Sequence, residues 1–310
     1  MNRKRILPIL LSFILLLAPY HTVSATEDIS VIVNGSPLVS DAAPYIQDGS
    51  VMAPMRSIFE ALGADVSWRP ETRQIIANKG GTVIGLTIDD TNAIVNSSAV
   101  ALNVPASIIG GRTYVPIRFI SESLSASVYW NDFERTVLIY EGLQDVYDET
   151  NSFVQYKIAV AGGNQLGFGE QFDQNGFMLY CGKLRDYVYE GIGTRYWQNG
   201  DVYEGPFENG NIVGHGRLTY GTGDVYNGVF AASVRKGTGT FTWVNGDSYV
   251  GTWDNDKMDG NGVYKFKNGD IYNGEWKENT MHGDGGYIFF DGRIFTGTWN
   301  HGVITAGSYL

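Results

Sequence analysis

An aromatic residue recurs every 23 positions through the second half of the chain, at Tyr180, Tyr203, Tyr226, Tyr249, Tyr272 and Phe295. A glycine follows two residues after each, from Gly182 to Gly297, and Phe207, Phe230, Trp253, Trp276 and Trp299 follow four after, with Leu184 in the first copy. A Gly-x-Gly pair comes next, as in Gly260/Gly262, and each unit ends in a turn such as Asn245-Gly246-Asp247. Self-similarity at a fixed short period is the mark of stacked repeats. The turn residues are those that tolerate φ > 0 in hairpins. In a strand, Tyr-x-Gly-x-Trp places both rings and the glycine on one face. Glycine weakens a strand unless something approaches closely, and a ring lying across a neighbouring glycine supplies that approach. The spacing predicts a single-layer antiparallel meander of ten or eleven strands at about 4.8 Å each.

The first half repeats on a different scale. Pro54-Met-Arg56 recurs as Pro116-Ile-Arg118, Trp68 as Trp130 and Arg73 as Arg135, each 62 residues on. Each copy reads as a strand (29–33; 93–95), a loop, a second strand (50–53; 113–115) running into proline, a helix, and a strand pair (65–68 and 74–77; 127–130 and 136–140). Proline suits the first helical position because its missing N–H has no partner there anyway, and Gly63 supplies a stop. The unit is thus predicted to be ββαββ, an α+β module, with Trp68 and Trp130 in the core and Arg56 and Arg118 in structural ion pairs or loop caps.

Composition narrows the function. The chain has 310 residues, 43% apolar, enough for two domains, with 40 glycines and 13% aromatics. Its 33 acidic against 22 basic residues argue against a nucleic-acid or anionic-lipid binder. Cys181 is the one cysteine, which rules out an internal disulfide or a Cys₄ zinc site. Residues 1–5 are basic, 6–18 nearly all apolar, and Val23-Ser24-Ala25 ends in small residues. This is the pattern of a secretory signal peptide cleaved after Ala25, and thirteen apolar residues fall short of the ~20 of a membrane span. The mature protein is expected to be secreted or in the cell envelope.

Gly111-Arg-Thr-Tyr-Val-Pro-Ile-Arg-Phe119 and Val128-Tyr-Trp130 followed by Val137-Leu-Ile139 resemble the stalk domain named after the N-terminal domain of bacterial copper amine oxidases. The resemblance covers residues 29–141 and implies a non-catalytic appendage of exported proteins. An oxidase would need a Tyr in an Asn-Tyr-Asp/Glu context and three copper-binding His. The chain has no Asn-Tyr dipeptide, and after residue 25 only His215, His282 and His301 remain, all in the other half.

The 23-residue units resemble MORN repeats over 176–304, with a degenerate half-repeat at Gly167-Phe-Gly169. That resemblance implies an interaction scaffold. The expected organisation is a signal peptide at 1–25, the stalk at 26–142, a linker at 143–166 with a possible strand at 153–160, and MORN repeats at 167–310.

Other constellations have plain readings. Asp254-Asn-Asp256-Lys-Met-Asp259 departs from the calcium-loop spacing, with Met258 and Asp259 where an acid and a glycine belong. Glu204, Glu208, Glu275 and Glu278 sit at repeat equivalents and read as a solvated rim. A sheet with no opposing layer leaves rings accessible, so Tyr203, Phe207, Tyr226, Phe230, Tyr249, Trp253, Tyr272 and Trp276 are the candidate binding face. Such rings can stack on sugars or clamp an extended peptide, or simply pack to hold the sheet. The chain reads as a non-enzymatic scaffold needing no cofactor or metal, whose partner is a protein or cell-wall glycan. The alternatives are a self-assembling envelope protein or a glycan hydrolase accessory.

Overall fold

The computed structural model describes residues 28–147, 150, 153–159 and 166–310; residues 1–25, expected to be a signal peptide, lie outside them. The first half contains β1 (Ser30–Val33), β2 (Ser36–Pro37), β3 (Tyr45–Gln47), β4 (Ser50–Pro54), α1 (Met55–Ala61), β5 (Asp65–Arg69), β6 (Gln74–Lys79) and β7 (Thr82–Thr87). Then come β8 (Asn92–Val95), β9 (Ser98–Ala101), β10 (Ser107–Ile109), β11 (Arg112–Pro116), α2 (Ile117–Ser123), β12 (Ala126–Asn131) and β13 (Thr136–Glu141).

The ββαββ unit is replaced by something larger. Stretches expected to be loops carry β2, β3, β9 and β10, so each copy contributes three hairpins and one helix. The copies are also not separate units. The closing hairpin of the second copy pairs with the opening hairpin of the first, in the order β12-β13-β1-β2, with β1 parallel to β13. The central hairpins join as β10-β11-β4-β3, where Val115 faces Ala53. The third sheet, β5-β6-β7-β8-β9, breaks the symmetry, because β7 is the strand that carries the chain from one copy to the next. A single core with residues from both copies results, including Ile58, Phe59, Leu62, Ile75, Ile120, Leu124 and Ile139.

Pro54 and Pro116 end a strand and cap a helix, as their fixed φ allows. Gly63 stops the first helix at φ +63°, and Ser125, its counterpart, takes +65°. Arg118 donates to Glu122 and to the Val128 carbonyl, a structural role. Trp130 packs against the core, but Trp68 is 37% exposed. The reason is position: β5 is the free edge of its sheet and has little to cover it.

The second half is one sheet, sixteen-stranded among the described residues. It exceeds the expected ten or eleven strands partly because β14 (Gln144–Tyr147) and β15 (Val154–Ile158), within the stretch read as linker, pair onto the half-repeat strand β16 (Leu166–Phe172). From there antiparallel hairpins run to the last strand, Val303–Tyr309.

Glycines stack on one row across this sheet. Gly228 faces Gly239, Gly239 faces Gly251, Gly251 faces Gly262, Gly262 faces Gly274 and Gly274 faces Gly285. The tyrosines lie in the trough this row leaves. A Cβ placed on Gly193, Gly216, Gly239, Gly262 or Gly285 would overlap the ring of Tyr180, Tyr203, Tyr226, Tyr249 or Tyr272. Each hydroxyl donates to the carbonyl three residues on, for example Tyr249 to Thr252 at 3.0 Å and Tyr272 to Glu275 at 3.0 Å.

The tight two-residue turns stand at the edge opposite the Asn-Gly-Asp turns. Asn255 and Asp256 have φ of +46° and +65°, and Glu278 and Asn279 have +46° and +68°. Both edges carry ladders to the next repeat. Asp224, Asp247 and Asp270 accept from the backbone N–H of Val244, Lys267 and Phe290 at 2.7–2.8 Å. On the other side Asp256 and Asn279 accept from the N–H of Arg235 and Met258. The acids of the suspected calcium loop are thus engaged in pairing, Asp256 with Arg235 and Asp259 with Lys277.

Two predictions follow from this packing. Gly285→Ala would set a Cβ 2.8 Å from carbons of the Tyr272 ring and should cost about 1–3 kcal/mol in chemical denaturation. Gly85→Ala, whose nearest neighbours would be at an ordinary 3.7 Å, should stay within about 1 kcal/mol of wild type. The Lys267 N–H bond holds the Asp247 carboxyl below its ordinary range. Its contribution is therefore full above the unfolded value and lost as pH falls through the folded one. Asp247→Ala should lower the melting temperature at neutral pH, and the difference should shrink below about pH 3.9.

Candidate binding surface

The eight rings expected to form an exposed face are buried. Tyr203, Tyr226, Tyr249 and Tyr272 are 0% exposed, and Phe207, Phe230, Trp253 and Trp276 no more than 5%. The expectation failed on geometry. The tyrosines lie flat on the glycine row, and the second ring of each repeat closes over them edge-on. Tyr249 meets Trp253 of its own repeat at 5.4 Å and 86°, and Trp276 of the next at 5.4 Å and 79°. Tyr226 and Tyr272 repeat the arrangement with Phe230 and Trp253, and with Trp276 and Trp299. Such T-shaped pairs add about 0.5–1.5 kcal/mol beyond area burial. These rings form the sheet's own covering layer.

A second aromatic stripe on the same face is only half-buried. Trp197, Tyr220, Trp243, Phe266 and Phe289 also stand 23 residues apart, just before the Asn-Gly-Asp turns. Tyr264 and Tyr287 fill the gaps. Ring centroids run Trp243–Tyr264 5.2 Å, Tyr264–Phe266 4.5 Å, Phe266–Tyr287 5.8 Å and Tyr287–Phe289 4.8 Å. Tyr264 and Tyr287 donate to Asp247 and Asp270 at 2.9 and 2.8 Å, fixing their rings upright at the edge. Val244 and Phe290, at the turns, are 71% and 75% exposed. Guanidinium groups cap the stripe, Arg195 4.6 Å from the Trp197 ring and Arg293 4.8 Å from Phe289. The 23-residue phase that finds Tyr203 and Tyr226 also finds this stripe, six residues before each repeat's first tyrosine.

The opposite face meets the first half of the chain. Tyr140 stacks on Phe168 at 3.9 Å and 11°, Phe133 stacks on His215 at 5.3 Å, and Arg217 pairs with Asp132. Glu204, expected on a solvated rim, accepts from the Asp132 N–H at 2.9 Å. Beside this contact Glu170 and Cys181 face each other across two strands, both buried. Burial pushes the Glu170 carboxyl up to about 7, and burial with the Glu170 charge pushes the Cys181 thiol well up, the opposite of a reactive cysteine. A cleft of about 770 Å³ opens alongside, lined by Tyr140, Phe168, Glu134 and Lys183. Asn131, on its wall, keeps one buried amide nitrogen without a partner. His282 and His301 approach to 5.1 Å as rings. Among the described residues no three His, Cys, Asp or Glu side chains gather as a metal site, and no helix is long and apolar enough to cross a membrane.

Comparison with known proteins agrees with the two repeat scales. Residues 32–139 match the copper amine oxidase N-terminal domain, and 180–202, 203–225, 226–248, 249–271 and 272–292 each match the MORN repeat. The chain is thus a copper amine oxidase N-terminal domain followed by five MORN repeats. A protein described as a protease inhibitor from Brevibacillus choshinensis is 30% identical over 122 residues, 38% of this chain and 37% of that protein. The chain therefore spans little more than a third of that relative. Among solved structures, the SAS-4 TCP domain of Drosophila melanogaster covers 54% of this chain at 13% identity with a TM-score of 0.27. The TCP10 domain of Danio rerio CPAP covers 80% at 8% identity and a TM-score of 0.21.

A carboxyl raised on folding binds its extra proton in the folded state. Stability should therefore fall as pH rises from about 4.5 to about 7, through the unfolded and folded values of Glu170. Melting temperatures of the whole chain between about pH 5 and about pH 8 should decline, and Glu170→Gln should flatten that decline. An unchanged slope in the variant would show that Glu170 is not its source.

Proposed function

We propose that the protein is a non-enzymatic scaffold, exported to the cell surface, in which the N-terminal domain positions the MORN sheet as a binding surface for a protein or a cell-wall glycan. The carrying observation is the half-buried aromatic stripe from Trp197 to Phe289. It stands on the sheet face turned away from the N-terminal domain, whose contacts fall on Phe168, Glu204, His215 and Arg217 of the other face. Rings of this kind, amphipathic and held rigid, bind at little entropic cost. Neither module belongs to a catalytic family, and of the rim glutamates Glu204 and Glu275 accept from backbone N–H groups and Glu278 pairs with Lys257. Export rests on the basic, apolar and small-residue pattern of residues 1–25.

A second reading, self-association, is favoured by the last strand. Val303–Tyr309 is exposed throughout and, among the described residues, stands at one edge of the sheet with a strand on one side only, an edge that can template pairing with another chain.

Residues 26–310 should co-sediment with purified cell-wall sacculi or pull down a surface protein. A Trp243→Ala/Phe266→Ala variant, shown folded by its melting temperature, should lose that retention. Retention undiminished in the variant would remove the stripe as the binding site. Light scattering over a range of concentrations separates the second reading, since a monomer throughout excludes assembly through the free edge.

A further inference from the structure

We infer that the N-terminal domain carries a self-processing cross-link site. The amine of Lys79 and the side-chain amide of Asn34 condense to an intramolecular amide bond, with the Glu141 carboxylate as proton carrier. The cross-link is independent of whatever the aromatic stripe binds.

Three side chains from separate stretches converge here. Asn34 lies in the turn between β1 and β2, Lys79 ends β6 and Glu141 ends β13. One oxygen of the Glu141 carboxylate accepts from Lys79 Nζ, and the other accepts from Asn34 Nδ2 at 3.3 Å. The Glu141 backbone N–H donates to Asn34 Oδ1 at 3.0 Å. An amine, a proton carrier and a polarised carbonyl carbon are thus gathered around one carboxylate. The N–H stabilises negative charge on the amide oxygen as an amine adds to the carbon, the work of an oxyanion-hole donor. The carboxylate touches both nitrogens between which the proton must move. The Lys79 and Glu141 side chains are 31% and 24% exposed, so the pair is partly withdrawn from water. Holding amine and amide on one group makes their reaction intramolecular, which lowers its entropic barrier.

The duplication supplies a comparison. Asn96, 62 residues after Asn34, takes the same left-handed conformation, at φ +48° against +51°. Its Oδ1 also accepts from a backbone N–H, that of Val83 at 2.9 Å. Val83 brings no carboxylate. The backbone contact therefore belongs to the turn, whereas the carboxylate and the amine are additions at Asn34 alone. Lys79 and Glu141 are themselves 62 residues apart, so the ends of two equivalent strands meet at one asparagine.

The reaction balances without an oxidant or co-reactant. The Lys79 ammonium gives a proton to the Glu141 carboxylate, and Nζ forms a bond to Asn34 Cγ. The Cγ–Nδ2 bond breaks as Glu141 passes the proton to Nδ2, and ammonia departs, carrying the surplus proton as ammonium. The new amide ties the sheet β12-β13-β1-β2 to the sheet β5-β6-β7-β8-β9. A chain whose one cysteine is buried in the other half has no disulfide to make such a tie.

The test is the intact mass of residues 26–310. It should fall below the sequence mass by one ammonia. A tryptic digest should show no cleavage after Lys79 and a branched peptide joining the segments that hold Asn34 and Lys79. Lys79→Arg, Asn34→Ala and Glu141→Ala should each restore the full sequence mass, and Asn96→Ala should keep the loss. A wild-type chain at full sequence mass overturns the inference. So does an ammonia loss that survives Lys79→Arg, which belongs to a succinimide at an Asn-Gly turn. Loss of water instead of ammonia also overturns it, since that belongs to a direct Lys79–Glu141 amide.

Discussion

The long sheet depends on a row of glycines. A single-layer sheet has an apolar face and no second layer to bury it against, a condition domains ordinarily escape by stacking two layers. Here the missing side chains of Gly182, Gly193, Gly205, Gly216 and their successors leave a trough, and Tyr180, Tyr203, Tyr226, Tyr249 and Tyr272 lie down in it. Each ring covers backbone that glycine would otherwise expose, and the Trp or Phe of the next repeat, joined from Tyr203 onward by that of the same repeat, stands against it edge-on. The sheet thus makes its own core, one ring thick. Substituting any trough glycine removes space that the tyrosine has no other place to find.

This explains how far the sequence could be read. The 23-residue phase predicts the strands, the hairpin turns and the tyrosine on glycine, because each is local or involves the next strand. It does not tell how deeply a ring sits. Trp253 and Trp276 read as accessible, since nothing in the sequence opposes them, and are buried because the tyrosines beside them lie flat. The stripe that is accessible, Trp197 to Phe289, has the same period but lies next to the turns. The 62-residue offset likewise identifies equivalent residues without saying which hairpin pairs with which. Val137 beside Val31 joins two positions more than a hundred residues apart, and only the exchange of hairpins between copies brings them together.

The two halves show different ways of closing a repeat. The duplicated half closes by exchange, so both copies share one core and neither buries its apolar residues alone. The MORN half stays open, and each repeat touches only its neighbours, as in other one-dimensional arrays. Its weaker copies must therefore be repaired locally. Where other repeats place Ile212, Met258 or Met281 in an apolar stripe, one repeat has Arg235. Its guanidinium lies 4.5 Å from the centre of the Trp253 ring, and Asp256 of the next turn takes its charge. The cation substitutes for an apolar residue because a flat guanidinium can stack on a ring and pair with a carboxylate at once.

Among the described residues the contacts between the halves fall on one face of the sheet, which leaves the other face clear. Phe168, Glu204, His215 and Arg217 are engaged by the N-terminal domain, near the first strands of the array. The aromatic stripe lies on the other face and extends toward the last strands, so occupation of one surface does not obstruct the other. Glu170, buried opposite Cys181 and two residues from Phe168, has its carboxyl pushed up to about 7, whereas the aspartates beside the stripe are held by backbone N–H groups. Between about pH 4.5 and about 7 the proton is therefore gained or lost at Glu170, whereas the carboxyls of Asp247 and Asp270 are held below their ordinary range.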